Sequence, residues 1–143
     1  MGYTHYWRQE EWTQEDKNGF LRALPIVREI IERYKDILTD VTVKDTTIFF
    51  NGEYETFHAE SEKQEFNCCK TGRKNYDVTI CEILLVLYAM CPNFKLSSDG
   101  FSGYTGTNDL DGEWMAAIEN VRQYGFNYGV EVINEEINIA TLD

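Results

Sequence analysis

Tyr76-Asp77-Val78-Thr79-Ile80-Cys81-Glu82-Ile83-Leu84-Leu85-Val86-Leu87-Tyr88-Ala89-Met90 is the stretch that decides the architecture. Val78, Ile80, Ile83, Leu84, Leu85, Val86 and Leu87 make it apolar on nearly every side, and at this length the run reads as a buried central helix rather than a strand. Cys91-Pro92-Asn93 ends it, and Phe94 to Ser97 reads as a short strand. Upstream, Phe20, Leu24, Val27, Ile31 and Tyr34 form the stripe of an amphipathic helix from about Gln14 to Ile37. Thr13 and Asp16 form a capping box at its start, and Pro25 predicts a kink or break near Ala23 and Leu24. Downstream, Trp114, Ala117, Ile118 and Val121 mark a second amphipathic helix, Glu113 to Tyr124, with Gly125 closing it.

The β signals lie around these helices. Tyr3-Thr4-His5-Tyr6-Trp7 is β-prone, with Tyr3, His5 and Trp7 on one face. Thr46 to Phe50, Asn51-Gly52 and Tyr54 to His58 make a hairpin signal. Two registers stay open: Phe49 against Tyr54, or Ile48 against Phe57 with Phe50 against Glu55. Residues 59–65 read as a loop, 98–112 as a long polar loop, and Val130 to Ile133 as a last strand before a frayed acidic tail. Without regular βαβ alternation the fold class is α+β: a single compact domain, residues 1–143, with a small, mostly antiparallel sheet against the central helix and the two amphipathic ones.

Composition narrows the function classes. Apolar types at 43% support a core, and 13 Lys+Arg against 25 Asp+Glu give a formal charge of −12. That field opposes a protein whose whole surface grips polyphosphate, so duplex nucleic acid is not an expected partner. Neither an 18-residue apolar span nor a signal-peptide pattern is seen, so the expectation is a cytoplasmic protein without a membrane partner. Cys68, Cys69, Cys81 and Cys91 lack zinc-site spacing and read as reduced structural thiols; no metal and no cofactor are expected. A calcium loop over 108–113 fails, because an EF-hand register puts Thr107 and Ile118 at ligand positions. Asp111 instead reads as the cap of the helix that follows.

One basic island stands out. Lys70, Arg73 and Lys74 fall within five positions just before the central helix, with Thr71 adding a hydroxyl and Gly72 allowing close backbone approach. A helix start with free N–H groups and a positive dipole end makes this a candidate anion cradle, though not a P-loop. Phe66 and Tyr76 flank it, and an aromatic beside a phosphate clamp is one way to hold a nucleotide. The competing reading is a solvated surface where these cations offset Glu62, Glu65 and Asp77. His5 and Glu55 are the candidate acid and base if there is catalysis; the competing readings are a packed histidine and an outward-facing hairpin residue.

Gly2-Tyr3-Thr4-His5-Tyr6-Trp7, Phe50-Asn51-Gly52 with Glu55-Thr56-Phe57, Cys69-Lys70-Thr71-Gly72-Arg73-Lys74-x-Tyr76-Asp77, and Ser97-Ser98-Asp99-Gly100 with Trp114 resemble a group of small, uncharacterised phage and bacterial proteins that open with G-Y-T-H-Y-W. The likeness runs from residue 2 to about 124; Cys68, Gly72 (where alanine is usual) and a shortened hairpin turn depart from it. The resemblance implies no activity. It implies that polar signature residues of several elements converge, and a viral or mobile-element setting, such as a phage counter-defence protein.

Three functions compete at this point. The first is non-enzymatic binding of a small phosphorylated, nucleotide-derived ligand, with Lys70, Arg73 and Lys74 holding charge, Thr71 and Ser98 donating hydrogen bonds, Tyr3, Trp7 or Tyr76 stacking, and His5 and Asp99 completing the site. The second is a nucleotide phosphodiesterase or hydrolase using His5 and Glu55, with Lys70 and Arg73 stabilising the phosphate. The third is an acidic inhibitor or nucleic-acid mimic, motivated by the two cations and eleven acids of residues 77–143. A homo-oligomer is compatible with each.

Overall fold

The computed structural model describes residues 3–101, 110–133 and 136–142. It is a single α+β domain. In chain order the elements are β1 (Thr4–Gln9), α1 (Gln14–Arg33), β2 (Thr39–Lys44), β3 (Thr47–Asn51), β4 (Phe57–Glu60), β5 (Gln64–Lys70), α2 (Asp77–Met90), β6 (Lys95–Ser98), α3 (Gly112–Val121), β7 (Asn127–Ile133) and β8 (Glu136–Leu142). Among the described residues the strands form three antiparallel sheets, ordered β5-β1-β6, β2-β3-β4 and β7-β8.

The apolar helix α2 is the axis of the core. Ile80, Ile83, Leu84, Leu85 and Val86 are fully buried and pack in one core with Phe20, Leu24 and Val27 of α1 and with Trp7, Phe50, Phe57 and Trp114. Burying a side chain of this size is worth roughly 1.5–3 kcal/mol, so α2 specifies the fold more than any strand does. Glu82, buried in α2, accepts from Arg33, from the Tyr34 hydroxyl and from Asn120 at 3.2 Å, so one carboxylate ties α1, α2 and α3 together. The β7-β8 hairpin docks on α2 through the Tyr128 hydroxyl on the Leu85 carbonyl at 2.5 Å and the Tyr88 hydroxyl on the Ile139 carbonyl at 2.7 Å.

Several expectations need correction. α1 runs unbroken through Pro25. The hairpin takes neither expected register: Phe50 pairs with Phe57 and Ile48 with Ala59, leaving a wider loop. The cause lies beneath that loop, where the Tyr76 ring sits so close to Gly52 that a Cβ there would fall 2.2 Å from it. The loop closes over this ring through the Tyr76 hydroxyl on the Glu55 carbonyl at 2.6 Å. Both expected registers share the parity of the observed one, so the inward residues stay the same. The loop expected over residues 59–65 is shorter: β4 runs on to Glu60 and β5 already begins at Gln64. The acidic tail is the strand β8, because Ile137 and Ile139 alternate and both are buried. The calcium-loop question falls mostly on residues outside the described ones.

Candidate functional site

Side chains from several elements converge on His5. β1 is the middle strand of its sheet, and alternation along it turns Tyr3, His5, Trp7 and Gln9 inward. Pairing places His5 opposite Cys69 of β5 and Ser98 of β6. The fully buried ring has Ser98 Oγ at 2.7 Å from Nδ1 and Asp77 Oδ1 at 2.6 Å from Nε2. Asp77 lies in the first turn of α2 and also takes the Thr71 hydroxyl at 2.5 Å. Tyr3 and Trp114 stand edge-on to the imidazole, with centroids at 5.2 and 5.0 Å.

Hydrogen-bond accounting fixes the direction of this chain. Ser98 Oγ accepts from Trp114 Nε1 and from the Gly100 amide, each at 2.9 Å, which fills both lone pairs. Its own proton therefore goes to His5 Nδ1, and the ring proton sits on Nε2 and is donated to Asp77. The order serine, histidine, aspartate is that of a hydrolytic triad, but here the serine meets Nδ1 instead of Nε2 and is buried with a saturated oxygen. It is built to hold β1, β6, α2 and α3 in place rather than to attack a substrate.

The same count bears on metal binding. The ligand atoms of His5, Asp77 and Cys81 lie within 4.8 Å of one another. A metal on Nε2 would move the ring proton to Nδ1, facing an oxygen that already accepts two donors and leaving the serine proton without a partner. The donor set does not fit a metal.

The basic island is a tight turn on the rim of this cluster. Thr71 and Gly72 amides donate to the Tyr3 carbonyl at 3.0 and 3.3 Å, and Lys74 N–H closes the turn on the Thr71 carbonyl at 3.0 Å. Gly72 and Arg73 both have positive φ, 58° and 59°, as a type I′ turn requires. For Arg73 that is a strained backbone, and its side chain is held on three sides. The guanidinium lies 4.0 Å from the centre of the Tyr3 ring and pairs with Asp111 at 2.6 Å and Glu113 at 3.1 Å. Asp111 thus gives its carboxylate to Arg73, in place of the expected side-chain cap on α3. Burial, followed by the charges of Cys81, Asp111, Asp77 and Glu113, pushes the Tyr3 phenol far above its ordinary value.

Placement of the remaining candidates is uneven. Lys74 is exposed and Lys70 half-buried, with the Lys70 amide bonded to Glu55 Oε1 at 2.7 Å. Thr71 and Ser98 hydroxyls point into the His5 cluster, and Trp7 and Tyr76 are buried in the core, so none of these four presents a hydrogen bond or a ring face outward. Asp99 accepts from the Thr4 amide at 3.0 Å and the Tyr6 hydroxyl at 3.4 Å. The expected open amides at the helix start are not the binding feature: Asp77 itself fills the first turn, and its N–H is bonded to the Lys74 carbonyl at 2.9 Å. The acid–base pair of the hydrolase reading is not assembled, since His5 is buried with both nitrogens engaged while Glu55 is exposed on the hairpin loop. Asp77 and Trp114 stand in the sequence as signature residues without a role in the site, and Asp111 reads there only as a helix cap; the start of the apolar helix at Asp77 is the available signal for the first.

Comparison with family models, with curated proteins and with solved structures found no match.

Proposed function

We propose that the protein is a non-enzymatic binder of a small phosphorylated, nucleotide-derived ligand, held at the outer side of the turn formed by residues 70–74. The observation that carries this reading is the turn itself. Two consecutive left-handed residues, anchored on the Tyr3 carbonyl and on the Thr71–Asp77–His5 chain, display Lys70, Arg73 and Lys74 at the edge of an otherwise acidic chain. Strain of this kind persists where surrounding contacts over-determine it, and it is concentrated at ligand sites. A phosphate would compete with Asp111 and Glu113 for the Arg73 fork, so the acids act as an internal stand-in until the ligand arrives. The groups that could do chemistry, His5 and Ser98, are consumed inside the fold. In the viral setting implied by the family resemblance, such binding would serve to sequester a nucleotide signal.

Isothermal titration against a panel of cyclic and linear nucleotides tests the reading. A saturable heat, abolished by Lys70→Ala with Lys74→Ala and accompanied by intact nucleotide on chromatography after denaturation, is the expected result. Absence of binding across the panel defeats it, and conversion of the nucleotide defeats its non-enzymatic part.

A further inference from the structure

Asp111 has the backbone of a helix cap and the side chain of an ion pair. Its main chain is extended at φ −59°, ψ 156°, and its carbonyl accepts the Met115 amide at 3.0 Å, the first bond of α3. Aspartate is among the best residues for this position, because its carboxylate accepts a first-turn amide that the helix leaves unpaired. Here the side chain makes no such bond. It reaches to the Arg73 guanidinium at 2.6 Å instead, and Glu113 joins it there at 3.1 Å. Both acids keep their charge in these pairs, so at rest they oppose a phosphate approaching Arg73. Each acid also has a second place to go. The Asp111 amide is fixed on the Gly100 carbonyl at 3.2 Å, so only a side-chain rotation separates its carboxylate from the capping position. Glu113 lies in the first turn of α3, where the positive end of the helix dipole favours a carboxylate.

We propose that the contact of Arg73 with Asp111 and Glu113 is an autoinhibitory latch on the 70–74 turn, released when a phosphate takes the Arg73 fork and Asp111 swings back to cap α3. The inference rests on the reading of that turn as a phosphate site and adds its regulation. A phosphate meets the planar guanidinium with two parallel hydrogen bonds, as a carboxylate does, so it competes for the same geometry. The acids it displaces are not stranded, because the cap and the helix dipole receive them. Arg73 does not depend on the acids alone for its position, since the Tyr3 ring lies 4.0 Å from its guanidinium. The exchange is therefore between two satisfied arrangements of one short segment. Linkage makes the coupling reciprocal: whatever favours the capped form of α3 tightens anion binding at the turn.

Inorganic pyrophosphate, titrated into the full chain by calorimetry at constant ionic strength, is the probe. Asparagine caps a helix about as well as aspartate but brings no charge to the guanidinium. Asp111→Asn should therefore tighten pyrophosphate binding by about fivefold or more while leaving the urea midpoint unchanged. Glu119→Gln removes the same charge from an exposed site farther along α3 and should leave the affinity as it was. In the parent protein the Glu113 and Trp114 amide resonances should move as pyrophosphate is added, and in Asp111→Asn they should start near that end point. The latch is overturned by pyrophosphate affinity that is unchanged or weaker in Asp111→Asn, by equal tightening in Glu119→Gln, by binding that leaves both amides unmoved, or by no binding to either protein. A lowered midpoint with unchanged affinity would reduce the contact to a structural brace. Nucleotides bound equally by parent and Asp111→Asn would sink the latch and leave the nucleotide binder standing. Pyrophosphate tightened by Asp111→Asn with no nucleotide bound would uphold the latch and sink the nucleotide reading.

Discussion

Replacing Ser98 with alanine removes one oxygen and three hydrogen bonds, since that oxygen receives Trp114 and Gly100 and gives its proton to His5. Two donors and one acceptor would then be stranded in the interior, so Ser98→Ala should lower stability by about 3 kcal/mol, measured by urea unfolding. Arg73 makes a different case, because its backbone and side chain pull in opposite directions. At φ 59° glycine relieves strain of about 1 kcal/mol that alanine retains. Both substitutions lose the same exposed ion pairs and the same contact with the Tyr3 ring. Arg73→Gly should therefore be more stable than Arg73→Ala by about 1 kcal/mol, which the difference in denaturation midpoints reports. Neither result is foreseeable from composition. Alternation along residues 3–7 did reveal that Tyr3, His5 and Trp7 share a face, but pairing His5 with Ser98 requires β1 to lie beside β6, a contact 93 residues apart that no local pattern encodes.

α1 begins at an acid that serves two elements. Asp16 completes the capping box with Thr13 and also accepts the Asn93 amide and side chain at 2.9 and 2.8 Å, fastening the helix to the turn after α2. Burial alone would raise its carboxyl, but the bonds from Asn93 and Thr13 outweigh that and hold it below the usual 3.8. With the folded value depressed, the unfolded chain takes up the proton first. The stabilisation is complete well above 3.8 and drains away as the pH falls through the lower folded value. Asp16→Asn should cost about 1 kcal/mol at neutral pH, and its stability curve should converge on that of the parent in acid; denaturant titrations across the acid range decide it. Helices were readable in the sequence because their apolar periods are strong. Strands were less so: β2 is a largely exposed strand with a bulge and a positive φ at Asp40, β5 turns its phenylalanine outward, and β8 shows only Ile137 and Ile139. The Asn51-Gly52 signal located the hairpin correctly but not its register, since the Tyr76 ring that widens the loop comes from a distant part of the chain.

A formal charge of −12 on 143 residues makes the folded state repel itself. Raising ionic strength from about 0.01 to about 0.15 M shortens the Debye length from about 30 to about 8 Å and relieves that repulsion. The exposed ion pairs that salt also weakens are worth little individually. The melting temperature should thus rise by a few degrees with added sodium chloride, about what 1 kcal/mol does for a domain of this size, and scanning calorimetry would show a fall if the ion pairs dominated.

Of the four thiols, Cys68 alone is exposed, while Cys69, Cys81 and Cys91 are enclosed and burial pushes each of them up, Cys69 and Cys91 to about 12. A colourless alkylating reagent should therefore consume one equivalent at once and the other three only as the molecule breathes. Those three sit under the hairpin loop, beside the imidazole and at the end of the central helix, so mass spectrometry of the slow phase would time the opening of each quarter of the interior separately, with the chain's own sulfur atoms as the clocks.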